Sequence, residues 1–143
     1  MFNFKENIRK SKVLYHGSPM KLKIIKAKPG KGIIQGENRT GVFLTETFEH
    51  AALYAIAKNL KGKTQFAVME DRVIIVGEDY VPGNGYVYTC LVPGAEEIGM
   101  GQWIYPENIS ENQIKNVDKV LYEDYKDNIE YVDSKEELLA LIL

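Results

Sequence analysis

The chain has 143 residues, of which 45% are hydrophobic and 27% charged, and its formal net charge is −2. These values are ordinary for a globular protein and the length suits one domain, so we predict a single domain over residues 1–143. One cysteine and two histidines allow no intramolecular disulfide and show no metal-ligand spacing, and we expect no metal site. No apolar stretch approaches the length of a membrane span and the first residues do not read as a signal peptide, so we expect a cytoplasmic protein with no membrane contact.

The charges are distributed unevenly along the chain. Residues 1–31 carry nine of the 18 basic groups against one acid, Glu6, whereas the stretch from Glu107 onward carries ten acids and four lysines. A basic N-terminal third can attract a phosphate, either in a dinucleotide or in a nucleic acid. Lysines on exposed strands and loops are also common in proteins that bind neither, so the charge pattern alone does not point to a ligand.

Short apolar runs alternate with turn-forming residues at the start of the chain. Apolar residues at helical spacing predict a short helix over residues 3–11, and the β-rich residues 13–15 predict a strand that stops at the turn formers of residues 16–19. A loop rich in glycine and lysine is predicted over residues 26–41. Because a loop of this length in a compact domain is usually functional or mobile, we expect it to border the ligand site.

A strand and a capped helix are predicted next. Residues 42–44 form a short apolar run. Either Thr45 or Thr47 can cap the helix that follows over about residues 48–59, because threonine side chains accept hydrogen bonds from the first free N–H groups of a helix.

The second half of the chain is predicted to form strands and a terminal helix. Runs rich in β-branched and aromatic residues, separated by turn formers, predict strands over residues 65–69, 72–76, 86–92, 102–105 and 119–122. Ser134 and Glu137 have the spacing of a capping box, which predicts a final helix over residues 135–142. Strands that mostly succeed one another through short turns favour an α+β fold of mainly antiparallel sheets with a few flanking helices.

The first candidate for a binding or catalytic site is residues 14–18, a strand that ends in a histidine and a glycine. Gly17 lacks a Cβ atom, so its backbone N–H and C=O can approach a planar ligand amide closely. A histidine at the end of a strand is more often structural than functional. His16 therefore becomes informative only together with other residues.

The second stretch is residues 41–55, which read as a strand, a capped turn and a helix. This arrangement would present Tyr54 of the helix near the end of the strand. Taken alone, Phe43 and Tyr54 suit a hydrophobic core at least as well as a ligand platform, because aromatic side chains are common in both places.

Taken together, these two stretches resemble the ADP-ribosyltransferase superfamily, which includes the poly(ADP-ribose) polymerases and the diphtheria-type toxins. Residues 41–55 align with the corresponding polymerase segment without a gap, and the resemblance extends over about residues 13–122 at the level of motifs. It implies an ADP-ribosyltransferase-like fold of split antiparallel sheets, and NAD as the substrate that the fold binds.

The resemblance implies roles for the histidine-glycine pair. His16 matches the family histidine, which is expected to hydrogen-bond a ribose hydroxyl of NAD. Gly17 matches the glycine whose backbone pairs with the nicotinamide carboxamide, and Ser18, next in the chain, is grouped with these binding residues.

The resemblance also implies roles in the second stretch. Phe43 stands where the polymerases have a tyrosine that lines the pocket. Ala51 takes the place of a helix serine that bonds the carboxamide, and Tyr54 matches the tyrosine on which the nicotinamide ring stacks.

A third stretch departs from the family pattern. The family places a glutamate at the start of a late strand, and the matching run, residues 101–105, has Gln102 there. A fixed carboxylate stabilises the oxocarbenium-like ribose that forms as nicotinamide leaves, and losing such a group typically lowers the rate on the order of 10²- to 10³-fold. Glu96 and Glu97, expected on the adjoining loop, are the acids considered as a substitute for it. The resemblance thus implies His16, Tyr54 and Gln102 as the catalytic residues.

Several functions remain open at this point. The chain can be an enzyme of mono-ADP-ribosyl transfer or slow NAD hydrolysis, with a protein, nucleic acid or small molecule as acceptor. It can also be a non-catalytic module that binds NAD, ADP-ribose or a nucleotide end, or a structural domain without a ligand. RNA 2′-phosphotransferases of the superfamily share the histidine-glycine pair and lack the glutamate, but they grip phosphate with several arginines, and this chain has only Arg9, Arg39 and Arg72.

Overall fold

The computed structural model of the protein describes residues 13–30 and 39–143. The helix predicted over residues 3–11 and the middle of the predicted loop, residues 31–38, lie outside the described residues. The strands are β1 (Val13–Ser18), β2 (Lys28–Pro29), β3 (Thr40–Thr45), β4 (Phe66–Val68), β5 (Val73–Val76), β6 (Gly85–Leu91), β7 (Glu96–Gly99), β8 (Gln102–Tyr105), β9 (Ile114–Val120) and β10 (Ile129–Val132). The helices are α1 (Phe48–Ala57) and α2 (Lys135–Ile142), and short 3₁₀ segments lie at Lys58–Leu60, Glu111–Gln113 and Tyr122–Asn128.

The described strands form two sheets. The larger sheet has the order β7-β8-β3-β1-β6-β9, with β2 paired to β3, and the smaller has the order β10-β5-β4. Pairing is antiparallel between these strands except between β10 and β5, which run parallel. The α+β class with mainly antiparallel sheets and a few helices is therefore confirmed.

The larger sheet opens between its two central strands. β1 pairs with β6 along its whole length, from Val13 to Ser18, but its register with β3 is a single pair, Tyr15 opposite Thr45. Beyond that pair the end of β1 leaves β3. Several of the predicted site residues lie beside the resulting gap.

Helix α1 lies between the two sheets. Its small residues Ala51 and Ala55 pack against Val87 of β6 in the larger sheet, while Leu53 packs with Val73 of β5 in the smaller sheet. Small side chains let the helix approach the strands closely. This close packing fixes the direction in which the other side chains of α1 point.

Helix α1 begins at a capping residue and ends close to the predicted position. Thr47 is the N-cap, and its Oγ1 accepts a hydrogen bond from the backbone N–H of His50 at 3.2 Å, so the predicted cap at Thr47 is confirmed. The α-helix ends at Ala57, two residues before the predicted end, and continues as a 3₁₀ segment over Lys58–Leu60.

Two further cores cover the outer faces of the sheets. The face of the larger sheet opposite α1 buries Leu14, Leu44 and Trp103. Helix α2 places Leu138 and Ile142 in a core with Ile74 of the smaller sheet. Ser134 caps α2 as predicted, its side chain accepting from the backbone N–H of Glu137.

Several strands differ from the prediction. β9 covers Ile114–Val120 instead of residues 119–122, and β2 lies within the predicted loop. β1 continues through His16 to Ser18, because β6 pairs with it as far as Tyr86. Glu96 and Glu97 lie on β7, paired with β8, instead of on a loop. β10 was not predicted, since its parallel partner β5 lies more than 50 residues earlier in the chain.

Gly17 offers a direct test of the packing between β1 and α1. A Cβ atom at this position would overlap the backbone oxygen of Ala51 and lie 2.8 Å from the backbone nitrogen of Ala55. We expect Gly17→Ala to lower the free energy of unfolding by about 1–3 kcal/mol, because the helix has to move away from the strand. Chemical denaturation measures this change.

Gly94→Ala is the matched control, because a Cβ there would meet only the Tyr105 ring at 3.5 Å, an ordinary contact distance. We expect this control to change the free energy of unfolding by less than about 0.5 kcal/mol. Equal stability of the two variants would contradict the close packing of α1 on β1.

Candidate functional site

Three of the predicted site residues lie on one face of the larger sheet. Side chains alternate along a strand, and Leu44 and Trp103 point into the core on the face opposite α1. Their neighbours Phe43 and Gln102 therefore face α1, and Gly17 contacts the backbone of that helix. Residues from β1, β3 and β8 thus meet α1 beside the gap in the sheet.

His16 reaches from β1 to β3. It lies opposite Tyr88 in the register with β6, with the ring centroids 6.4 Å apart, so it belongs to the face away from α1 that Leu14 also occupies. Its Nδ1 lies 2.8 Å from the backbone oxygen of Phe43. A carbonyl can only accept, so Nδ1 carries the proton and Nε2 is the acceptor nitrogen. Burial, and secondarily the charge of Lys58, lower the pKa of His16 from 6.5 to about 3. His16 is therefore a neutral acceptor with a fixed tautomer, which can accept a hydrogen bond at Nε2.

The backbone of Gly17, which is predicted to bind a carboxamide, already has a hydrogen-bond partner within the protein. Its carbonyl oxygen accepts a hydrogen bond from Nζ of Lys58 at 2.7 Å. A carbonyl oxygen has two lone pairs, so this contact leaves one further acceptor position on Gly17. Any ligand amide there would lie next to the Lys58 ammonium.

Tyr54 and Gln102 are in direct contact despite their separation in the chain. Nε2 of Gln102 donates to the hydroxyl oxygen of Tyr54 at 2.8 Å. Burial raises the pKa of Tyr54 to about 12, and the bond from Gln102 opposes this rise. The phenol therefore keeps its proton near neutral pH, and the side chain of Gln102 is oriented by the bond.

The ring of Tyr54 belongs to a stripe of three residues along the helix. The His50 imidazole stacks on it with the ring centroids 5.2 Å apart and the planes at 25°. Nζ of Lys58 lies over the same ring, 5.8 Å from its centroid. His50, Tyr54 and Lys58 are spaced four residues apart, so a helix of regular pitch places them on one face.

Lys58 is a partly buried cation whose nearest charged neighbours are also cations. Burial lowers its pKa from 10.5 to about 8, and the charges of Lys28 and Lys61 lower it further. In residues 13–30 and 39–143, no carboxylate forms an ion pair with it. This part of the site therefore has positive charge that the described chain does not neutralise.

His50 and Glu70 lie beside the residue that precedes Gln102. A Cβ atom built on Gly101 would lie 3.5 Å from Nδ1 of His50 and 3.4 Å from Cδ of Glu70. His50 is buried, burial lowers its pKa to about 4, and its Nε2 has no hydrogen-bond partner among the described residues. Glu70 thus places a carboxylate beside Gly101, the residue before Gln102, which its distance in sequence did not indicate.

The other predicted residues make contacts within the protein. Ser18 is buried, and its hydroxyl accepts from the backbone N–H of Met20 at 3.2 Å, which forms a local turn. Ala51 is fully buried, with its carbonyl against Gly17. Glu96, considered as a substitute acid, pairs with Arg39 at 3.1 Å. These residues shape the site without presenting a side chain to a ligand.

Sequence reasoning missed His50, Lys58 and Glu70. The four-residue spacing of His50, Tyr54 and Lys58 was the available signal for the first two, since it identifies one face of a helix. Glu70 had no such signal, because its position depends on how the smaller sheet packs beside β8.

No protein-family model, curated protein or solved structure matches this chain. The resemblance to ADP-ribosyltransferases stays a prediction from the sequence motifs. Within the described ranges, no helix is long and apolar enough to cross a membrane. The same residues contain no group of three or more His, Cys, Asp or Glu side chains placed to hold a metal ion.

The two histidines predict how stability depends on pH. Both have lower pKa values in the folded protein, about 3 for His16 and about 4 for His50, than the ordinary 6.5. The unfolded chain therefore binds more protons below pH 6.5, and the folded state loses stability as the pH falls. Between pH 7 and pH 5 we expect a loss of about 1–2 kcal/mol for each histidine, measured by denaturation at each pH.

Substitution separates the two contributions. The chain has only two histidines, so the double variant His16→Gln, His50→Gln should have nearly constant stability over this interval. Each single variant should retain about half of the pH dependence. A wild-type protein that is equally stable at pH 7 and pH 5 would contradict the neutral, buried state of both rings.

Proposed function

We propose that this protein binds NAD in the manner of an ADP-ribosyltransferase and cleaves it slowly, by mono-ADP-ribosyl transfer or by hydrolysis. The observation that carries the proposal is the meeting of Gly17, Tyr54 and Gln102 on one face of the sheet, where Gln102 donates to the Tyr54 hydroxyl and Gly17 lies against the same helix. These residues lie on β1, α1 and β8, far apart in sequence. Packing alone requires neither the fixed tautomer of His16 nor the bond between Tyr54 and Gln102.

Each residue has a role in the proposed complex. Nε2 of His16 accepts a hydrogen bond from a hydroxyl of the nicotinamide ribose. The Tyr54 ring supports the nicotinamide ring, since aromatic rings stack favourably with a flat ligand. The side-chain oxygen of Gln102 accepts from a second ribose hydroxyl, because its amide nitrogen is already bonded to Tyr54.

The proposed reaction breaks the bond between the ribose C1′ atom and the nicotinamide nitrogen. Nicotinamide leaves with the bonding electron pair and becomes neutral, while positive charge develops on the ribose. Water or an acceptor nucleophile then attacks C1′ and loses a proton to solvent. Gln102 orients the ribose but carries no charge to stabilise the cation, so this reaction is expected to be slow.

A second candidate is a module that binds NAD or ADP-ribose without cleaving it. The neutral Gln102 side chain and its bond to Tyr54 favour this candidate, because the position that family members use for charge stabilisation serves here to position a tyrosine. Binding and turnover measurements separate the two candidates.

Ligand binding should raise the thermal stability of the protein. A ligand present at about a hundred times its dissociation constant stabilises the folded state by about 2.7 kcal/mol, which corresponds to several degrees for a domain of this size. We expect such a shift with NAD, measured by differential scanning fluorimetry. Tyr54→Ala should abolish the shift, because it removes the stacking surface. Absence of any shift with millimolar NAD, nicotinamide or ADP-ribose would contradict both candidates.

Substitution of Gln102 tests the catalytic proposal. Gln102→Glu places a carboxylate beside the developing ribose cation without changing the length of the side chain. The environment accepts it, since the protonated Tyr54 hydroxyl can donate to a carboxylate. We expect NAD cleavage to accelerate on the order of tenfold or more, about 1.4 kcal/mol in activation free energy.

Gln65→Glu, at an exposed position before β4, is the matched control for the added charge and should leave the cleavage rate unchanged. NAD affinity is measured for each variant by isothermal titration calorimetry. Unchanged turnover of Gln102→Glu with intact affinity would contradict an enzymatic role for position 102.

A further inference from the structure

Lys58 places a cation where a ligand ring would meet the rest of the site. Its Nζ atom donates to the carbonyl oxygen of Gly17 at 2.7 Å and lies 5.8 Å from the centroid of the Tyr54 ring. A ring stacked on Tyr54, with a substituent directed at Gly17, would therefore have that substituent beside the Lys58 ammonium.

This ammonium can donate a hydrogen bond to a further acceptor. It has three N–H donors, and one of them is bonded to Gly17. Its charged neighbours in the described structure are Lys28 and Lys61, which repel it. Because a partly buried cation without a counter-charge is costly, an anionic acceptor next to Lys58 would offset this cost.

The chemistry of the two common pyridine substituents differs at this point. A carboxamide is neutral, so its oxygen gains less from the Lys58 ammonium than a carboxylate does, and its NH₂ group at the second lone pair of Gly17 would lie beside that positive charge. A carboxylate accepts hydrogen bonds from Lys58 while Lys58 keeps its bond to Gly17. In an oxidised dinucleotide the pyridine ring itself is positive, so Lys58 repels it unless a carboxylate on the same ring offsets the charge.

We propose that Lys58 makes this site selective for a ring that carries a carboxylate in place of a carboxamide, which makes nicotinic acid and its adenine dinucleotide the preferred ligand class. The proposal rests on the proposed function for the stacking of a pyridine ring on Tyr54, and it deepens that function by naming the substrate class. Lys58 acts in it as a specificity-determining residue.

Paired ligands test the selectivity directly. Isothermal titration calorimetry at pH 7 compares nicotinic acid with nicotinamide, and nicotinic acid adenine dinucleotide with NAD. We expect the acid of each pair to bind about tenfold more tightly, the typical effect of one charge-assisted hydrogen bond. Equal affinities, or tighter binding of the amide, would overturn the proposal.

Inorganic phosphate distinguishes recognition of the ring from simple attraction of an anion. We expect phosphate to bind more weakly than nicotinic acid, because it gains nothing from Tyr54. Binding of phosphate as tight as that of nicotinic acid would show a general anion site and would overturn the selectivity for a ring carboxylate.

Variants of Lys58 test its part in the selectivity. Lys58→Gln keeps a donor for Gly17 but removes the charge, and it should lose the preference for the acid. Lys58→Arg keeps the charge and should retain most of the preference. Lys63→Gln, at an exposed lysine five residues later, is the matched control and should bind like the wild type. If Lys58→Gln unfolds at the assay temperature, Lys58→Met, which preserves the apolar stem, replaces it.

The outcomes separate this proposal from the proposed function. Binding of nicotinic acid that depends on Lys58, without binding or cleavage of either dinucleotide, would support the carboxylate selectivity and contradict the proposed function. NAD binding that depends on Tyr54, with no preference for the acid and no effect of Lys58→Gln, would support the function and overturn the selectivity.

Discussion

The close contact between Gly17 and helix α1 is the constraint on which the site depends. The backbone of β1 lies so near Ala51 and Ala55 that no side chain fits at position 17. This contact holds α1 against the strand where β1 and β3 separate, and so directs Tyr54 toward Gln102 and Lys58 toward the carbonyl of Gly17. If the helix lay farther from the strand, Tyr54 and Lys58 would not reach their hydrogen-bond partners Gln102 and Gly17.

The electrostatics of the site follow from this packing. His16 and Tyr54 are neutral because burial disfavours their charged forms, and Gln102 is neutral by chemistry. Lys58 is the charged group in direct contact with the backbone of Gly17. The proposed site is thus neutral where the ribose would lie and positive where the ring substituent would lie. An acidic substituent is better matched to this distribution than a neutral or positive one.

Local sequence signals predicted much of the fold, whereas the site required tertiary structure. The cap at Thr47, one of the two threonines considered, and strands β4 and β5 depend on neighbouring residues, and both features were predicted from local sequence. Strand β10 was missed because its parallel partner is remote in sequence. Likeness to a known family drew attention to Tyr54 and Gln102, but their contact depends on how α1 meets β8. The contact of Lys58 with Gly17 also depends on tertiary structure, because the two residues are 41 apart in the chain.

The most direct test of the account is to map where a dinucleotide binds. Backbone amide signals of a ¹⁵N-labelled protein are followed by NMR during titration with NAD and with nicotinic acid adenine dinucleotide. The account predicts that the largest shifts occur at Gly17, Tyr54 and Gln102 and saturate together, since these residues surround one gap in the sheet. Saturating shifts confined to other parts of the molecule, or no shifts at millimolar ligand, would contradict it.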